Sequence, residues 1–231
     1  MSVFQMEKMI STILPEWVYA TEVFGIDQEV MFDEEAHLMA SSIPERRAEF
    51  LTGRKCAHDA LSKLGGASQP ILRGPNREPL WPEGVVGSIT HCGDYCAAAV
   101  ARSHGERWIG IDAELNQPLP QGIIEIIASP LEIEQAAGAL RRIPNWDRLV
   151  FSAKESVYKA WYPCRQMRFD ALDYSITFFP ESSCFEVSFS TADFNGDKAG
   201  ARFYGRYLVG SDLILTSVVV TRESASDLSS N

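Results

Sequence analysis

The sequence predicts an α+β protein, because in each half of the chain helical segments come first and antiparallel strand patterns follow. Two groups of short apolar runs separated by turn residues carry that reading, one over 85–114 and one over 174–220. A doubly wound sheet would alternate strand and helix throughout, which this chain does not.

The elements follow in order. Pro15 to Phe32 mixes strand-like pieces, such as Trp17-Val18-Tyr19-Ala20, with acidic punctuation. Asp33 is placed to cap a short helix through Ala40. A second helix starts at Ser42 with Pro44 in its first turn and stops at Leu64, before Gly65-Gly66. Leu51, Ala57, Leu61 and Leu64 form its apolar stripe, and Arg46, Arg47, Arg54 and Lys55 crowd its remaining surface. Arg73 to Pro82 is a loop rich in turn formers. Val85 to Thr90 reads as a strand, Gly93-Asp94 as a turn, Cys96 to Ala101 as the hairpin partner, and Trp108 to Glu114 as a further strand. Within Ile123 to Ile143 the helical pattern centres on Glu132 to Leu140. Asp147 to Trp161 is a helix closed by Pro163, and strands follow at Tyr174–Phe179, Phe185–Phe189, Arg202–Val209 and Leu213–Val220. The last ten residues are Ser-rich and expected to fray. No residue-level repeat marks an internal duplication.

Composition narrows the function. Of 231 residues 45% are apolar, enough for a sizeable core. The formal net charge of −10 argues against a general nucleic-acid binder, which shows a basic surplus or stripe. No apolar run approaches the roughly 20 residues that cross a bilayer, and the first sixteen residues lack a secretory pattern, so the expectation is a cytoplasmic protein without stable membrane insertion. The five cysteines include no C-x-x-C pair, which points to reduced thiols rather than a disulfide framework or zinc knuckle.

Asp112 and Glu114 stand two apart on a predicted strand, so their carboxylates share a face while Ile109, Ile111 and Ala113 face the core. Two close carboxylates repel unless a proton or cation lies between them, and magnesium binds through a few carboxylates plus substrate phosphates. A solvated strand end would show the same pattern. On the helix, Glu155 and Lys159 lie one turn apart. Alone they are a surface ion pair worth a few tenths of a kcal/mol. Beside Asp112 and Glu114, Glu155 becomes a third carboxylate for a metal, and Lys154 and Lys159 become cations for a bound polyphosphate. Arg46, Arg54 and Arg73, with Thr90-His91 at a strand end, supply further phosphate donors. No P-loop and no G-x-G-x-x-G is present.

Four separated segments stand in a recognisable order: Gly74-Pro75-Asn76-Arg77-Glu78-Pro79-Leu80-Trp81-Pro82, Gly87-Ser88-Ile89-Thr90-His91-Cys92, Gly110-Ile111-Asp112-Ala113-Glu114, and Phe151-Ser152-Ala153-Lys154-Glu155-Ser156-Val157-Tyr158-Lys159-Ala160. Together with Pro44 to Arg54 they closely resemble the Sfp-type 4′-phosphopantetheinyl transferases, most of all the enterobactin synthetase component D branch and its actinobacterial relatives. The match spans residues 44 to 161.

The resemblance implies two pseudo-symmetric lobes, each with helices packed on a small antiparallel sheet, here residues 1–114 and 115–231. It implies coenzyme A as co-substrate between them, and Mg2+, which Mn2+ can replace, held by Asp112, Glu114 and Glu155. Arg46, Arg54, Thr90 and His91 would grip the 3′-phosphate region, with Arg73 near the adenosine and Lys154 and Lys159 at the pyrophosphate. A helical wheel aligns Arg47 with Arg54 at least as well as Arg46. The implied reaction moves phosphopantetheine to a serine of an apo acyl or peptidyl carrier protein and releases adenosine 3′,5′-bisphosphate. Glu155, directly or through a water, is the expected base, and Lys159 is counted with it as catalytic. Fatty-acid, polyketide, siderophore and peptide carriers are all compatible. Two fused lobes would let a monomer build the complete site. The stretch from Gly122 to Trp146, with Ile126, Leu140, Arg141 and Arg142, is the expected carrier-docking surface. A metal-dependent phosphodiester hydrolase and a non-catalytic coenzyme A binding module are the competing readings.

Overall fold

The computed structural model describes residues 9–27, 29–104, 107–165, 170–189 and 201–222. The expected fraying of the Ser-rich tail falls on residues outside that set.

The chain forms strand β1 (Tyr19–Phe24), helices α1 (Asp33–His37) and α2 (Pro44–Lys63), then short strands β2 (Leu72–Arg73) and β3 (Pro79–Leu80). Strands β4 (Val85–Cys92), β5 (Tyr95–Arg102) and β6 (Arg107–Leu115) come next. Helices α3 (Ile124–Ile127), α4 (Pro130–Ala139) and α5 (Trp146–Arg165) lead into β7 (Tyr174–Phe179), β8 (Cys184–Phe189), β9 (Ala201–Val209) and β10 (Leu213–Arg222). The α+β expectation holds.

Two antiparallel sheets dominate, one of order β1-β5-β4 and one of order β6-β10-β9-β8-β7. In the first, Tyr95 to Ala101 is buried on both faces. Its odd-numbered side chains pack with Ile10, Ile13 and Leu14, and its even-numbered ones with Cys56, Ala57, Ala60 and Leu61 of α2. The run of alanines lets α2 lie close. In the second sheet, Leu149, Val150, Ala153, Val157, Ala160 and Trp161 make one stripe of α5 that covers Tyr174, Ile176, Phe178, Ile214 and Val218.

Strand β6, which the sequence reading groups with the first lobe, pairs with β10 from Arg107↔Thr221 to Leu115↔Leu213. The boundary drawn at residue 114 therefore runs along this sheet. On its other edge β6 meets β4 without a backbone ladder. Instead Ser88 Oγ accepts from Ile111 N at 3.1 Å and Thr90 Oγ1 from Ala113 N at 3.0 Å. Two hydroxyls thus satisfy the outward amides of β6 and join the sheets.

Three helices differ from expectation at their ends. Helix α1 is capped by Phe32 rather than Asp33 and ends at His37, not Ala40, because Asp33 lies inside the first turn. Helix α2 begins at Pro44, after an extended Ile43. Helix α5 continues past Pro163 to Arg165. Among the described residues no helix is long and apolar enough to cross a membrane, and Cys56, Cys92, Cys96 and Cys184 are free thiols.

Candidate active site

The seam between the sheets opens into a cavity of about 430 Å³ walled by α2, the β2–β3 loop, β4, β6 and α5. Its position follows from two close approaches. Gly110 lets α5 lie directly on β6, since a Cβ there would stand 1.9 Å from Ser156 O and 2.7 Å from Ala160 N. At Gly87 a Cβ would stand 2.6 Å from Ala99 O and 2.8 Å from the Trp81 ring.

On the α2 side, Arg46 Nη1 donates to Glu49 Oε2 at 2.9 Å and to His91 Nε2 at 2.6 Å. The accepting Nε2 places the proton of a neutral His91 on Nδ1. Burial and the Arg46 charge hold the His91 pKa below its ordinary value. Arg46 lines the cavity; Arg47 is exposed and does not. Arg54 was expected on the helix surface but is buried, because Nε donates to Ile71 O at 2.9 Å and Nη2 to Leu72 O at 3.5 Å. Burial lowers its pKa to about 10. Ile71 is fixed in turn by buried Glu35, whose Oε1 accepts from Ile71 N and His58 Nε2, each at 2.7 Å. Arg54 and Arg73 both overlie the Phe50 ring, at 4.4 and 5.2 Å. Burial, then the charges of Arg77 and Arg46, lower the Arg73 pKa.

On the β6 and α5 side, Lys159 Nζ donates to Asp112 Oδ1 at 2.7 Å, Ile111 O at 3.2 Å and Thr90 Oγ1 at 3.4 Å. Thr90 Oγ1 donates to Asp112 Oδ1 at 3.4 Å. The other oxygen, Asp112 Oδ2, is buried with no hydrogen-bond partner. Burial, then the Asp112 charge, raise the pKa of Glu155.

Not every expected residue joins this group. Glu114 is on the Asp112 face of β6, but its Oε2 accepts from Arg148 Nη1 at 2.9 Å and the residue is not on the cavity wall. Burial and Asp112 raise its pKa while Arg148 lowers it. Among the described residues no three His, Cys, Asp or Glu side chains converge into a ready-made metal cage. Lys154 departs furthest from expectation. Its Nζ points away from the cavity and donates to Glu132 Oε2 at 3.0 Å, Ala171 O at 2.7 Å and Tyr174 O at 3.2 Å. On the expected docking stretch, Leu140 is core, whereas Ile126 is 66% exposed and Arg141 and Arg142 face solvent.

The cavity wall also holds Glu49, Asn76, Arg77, Tyr158 and Tyr162, which the motif reading did not single out. Asn76 Nδ2 donates to Tyr162 Oη, tying the β2–β3 loop to α5. The two tyrosines were within reach of the sequence: Glu155, Tyr158, Lys159 and Tyr162 follow i, i+3, i+4, i+7 spacing on one helical face.

The arrangement can grip a polyphosphate from both sides, with arginines from α2 and β2 facing Lys159 and two carboxylates. Comparison with known proteins gives the family. Residues 34–101 match the family model for the 4′-phosphopantetheinyl transferase N-terminal domain, and residues 108–210 match the 4′-phosphopantetheinyl transferase superfamily. The chain is 40% identical over 222 residues to 4′-phosphopantetheinyl transferase Svp of Streptomyces mobaraensis, covering 92% of this chain and 89% of that protein. It is 40% identical over 192 residues to 4′-phosphopantetheinyl transferase PptT of Mycobacterium tuberculosis, covering 81% and 85% respectively. Enterobactin synthase component D of Salmonella typhimurium is 39% identical over 119 residues, 51% of this chain and 49% of that protein. With both halves matched and relatives at this identity along most of its length, the chain belongs to the 4′-phosphopantetheinyl transferase family of enzymes.

Proposed function

We propose that the protein transfers the 4′-phosphopantetheine arm of coenzyme A to a serine of an apo acyl or peptidyl carrier protein, with Mg2+, releasing adenosine 3′,5′-bisphosphate. The observation that carries this reading is that one cavity gathers Arg46, Arg54, Arg73 and Lys159 with Asp112 and Glu155.

Arg46 and His91 meet on the cavity wall and are matched to a terminal phosphate, with Arg54 and Arg73 beside them over the Phe50 ring. Lys159, anchored by Ile111 O and Asp112, presents its charge to the diphosphate. The donor set fits a hard divalent cation, because a buried carboxylate oxygen without a partner, Asp112 Oδ2, is costly unless something satisfies it. Asp112 and Glu155, with Glu114, would hold that cation, and when bound it supplies charge neutralisation for the leaving oxygen.

The serine hydroxyl attacks the phosphorus bearing the pantetheine arm. The new Oγ–P bond forms as the P–O bond to adenosine 3′,5′-bisphosphate breaks. Serine is a weak nucleophile at neutral pH and its proton must leave during attack. Glu155 is suited to take it, because burial and Asp112 move its pKa upward from the ordinary carboxylate value. All the walls come from one chain, so a monomer suffices. A cytoplasmic site of action completes the proposal.

The test incubates the protein with coenzyme A, Mg2+ and an apo carrier protein and reads the carrier's mass. A phosphopantetheine-sized gain that chelator abolishes is expected. Free phosphopantetheine without that gain would point to a hydrolase instead. Full turnover by Glu155→Gln at raised Mg2+ would remove Glu155 as the base.

A further inference from the structure

Helix α5 carries three polar residues on one line. Glu155 follows Arg148 by seven residues and Lys159 follows it by eleven, so all three fall within an arc of about 40° around the helix axis. At one end of this line Lys159 holds Asp112, and at the other Arg148 holds Glu114.

The Arg148 side chain is only 11% exposed and three of its nitrogens donate: Nη1 to Glu114 Oε2 at 2.9 Å, Nε to Gln117 O at 3.2 Å and Nη2 to Pro118 O at 2.9 Å. The adjacent Asp147 Oδ2 accepts from Leu119 N at 3.2 Å, so the first turn of α5 clasps the end of β6 and the loop after it. An exposed ion pair would order little. This one is enclosed and anchored by two backbone carbonyls.

The two acidic residues are treated alike. Asp112 gives Oδ1 to Lys159 and keeps Oδ2 unpartnered. Glu114 gives Oε2 to Arg148, and its Oε1 stays outside that clasp. We infer that Arg148 is a positioning residue for the divalent cation, fixing the Glu114 rotamer so that Oε1 serves the same ion as Asp112 Oδ2. This rests on the metal-dependent reading proposed above. Partners behind a metal ligand set its orientation, and losing one typically weakens metal binding 10–100-fold. A plain electrostatic view predicts the reverse sign, because deleting a nearby positive charge should tighten cation binding.

The experiment titrates Mn2+ into the apo enzyme by electron paramagnetic resonance, with neither coenzyme A nor carrier present. Wild type, Arg148→Met, Arg148→Lys and Asp112→Asn are compared, and urea midpoints check folding. The expected result is Mn2+ binding about 10-fold or more weaker in Arg148→Met. Arg148→Lys, which keeps the charge but cannot fork between Glu114 and the two carbonyls, should lie between it and wild type. Where Arg148→Met does not fold, Arg148→Lys carries the test. Unchanged or tighter Mn2+ binding in the Arg148 variants overturns the positioning role. No binding by wild type, or binding that survives Asp112→Asn, overturns the metal reading itself and this inference with it.

Discussion

Replacing Lys154 with methionine separates two assignments of one residue. By its place beside Glu155 in the helix it should meet the diphosphate; in the structure it is a buried strut between α5, α4 and β7. Its side chain and that of Glu132 are each 4% exposed, and its ammonium lies 4.6 Å from the Tyr174 ring centroid. Three acceptors use all three ammonium protons. Methionine keeps most of the stem but strands the Glu132 charge and two carbonyls. Breaking one side of a buried pair costs about 3–5 kcal/mol, a fifth or more of the roughly 5–15 kcal/mol that holds a typical domain together. Glu132 Oε1 also accepts from Ile176 N at 2.8 Å, so the second variant should be Glu132→Gln, which keeps an acceptor there while removing the charge. The double variant should then be more stable than Lys154→Met alone, with a coupling of about 1–3 kcal/mol. Urea unfolding midpoints for the four proteins give the cycle, and KM for coenzyme A is measured beside them. If Lys154→Met keeps its midpoint and raises KM, Lys154 faces the substrate and the buried-pair reasoning is wrong.

Three further outcomes are expected. Gly110→Ala, whose Cβ meets the α5 backbone at 1.9 Å, should destabilise the fold by about 1–3 kcal/mol or more and lower kcat at least about tenfold by shifting Glu155 and Lys159 off β6; thermal unfolding and single-turnover rates check both. Burial and Arg46 hold the His91 pKa low in the free protein, and a phosphate dianion beside it should raise it. Coenzyme A binding near pH 6 should therefore take up protons, visible by calorimetry in buffers of different ionisation enthalpy, and His91→Asn should abolish that uptake. Glutamate at both Arg141 and Arg142 should raise KM for the carrier several-fold and leave KM for coenzyme A unchanged, as two exposed charges affect encounter with an acidic partner.

Local periodicity and motif order made much of this legible in advance. The two-residue period of a strand placed Asp112 and Glu114 on one face, and the four-residue step of a helix placed Glu155 and Lys159 together. What remained hidden depends on partners far along the chain. Nothing around Lys154 reveals that Glu132, twenty-two residues earlier, takes its charge. Arg148 holds Glu114 across 34 residues. Arg54 sits among other charges on α2, and its burial is explained only by the carbonyls of Ile71 and Leu72, which no helical pattern encodes. Leu140 reads as part of the docking surface by position and is core by packing. Thr90 and His91, adjacent in sequence, serve opposite walls because successive strand residues point opposite ways: Thr90 to β6, His91 to Arg46.

The hydroxyl join between β4 and β6 has a mechanical meaning. A carbonyl acceptor is locked in its peptide plane, whereas the hydroxyls of Ser88 and Thr90 hold their bonds only while each side chain keeps one staggered rotamer. The two sheets therefore meet through two side-chain hydroxyls and a shared apolar core rather than through a continuous backbone ladder. Thr90 Oγ1, one of the two, also touches Lys159 and Asp112, so whatever settles on those two side chains tightens the join as well. The amide protons of Ile111 and Ala113 are the gauge: their exchange with solvent should slow when the cleft fills.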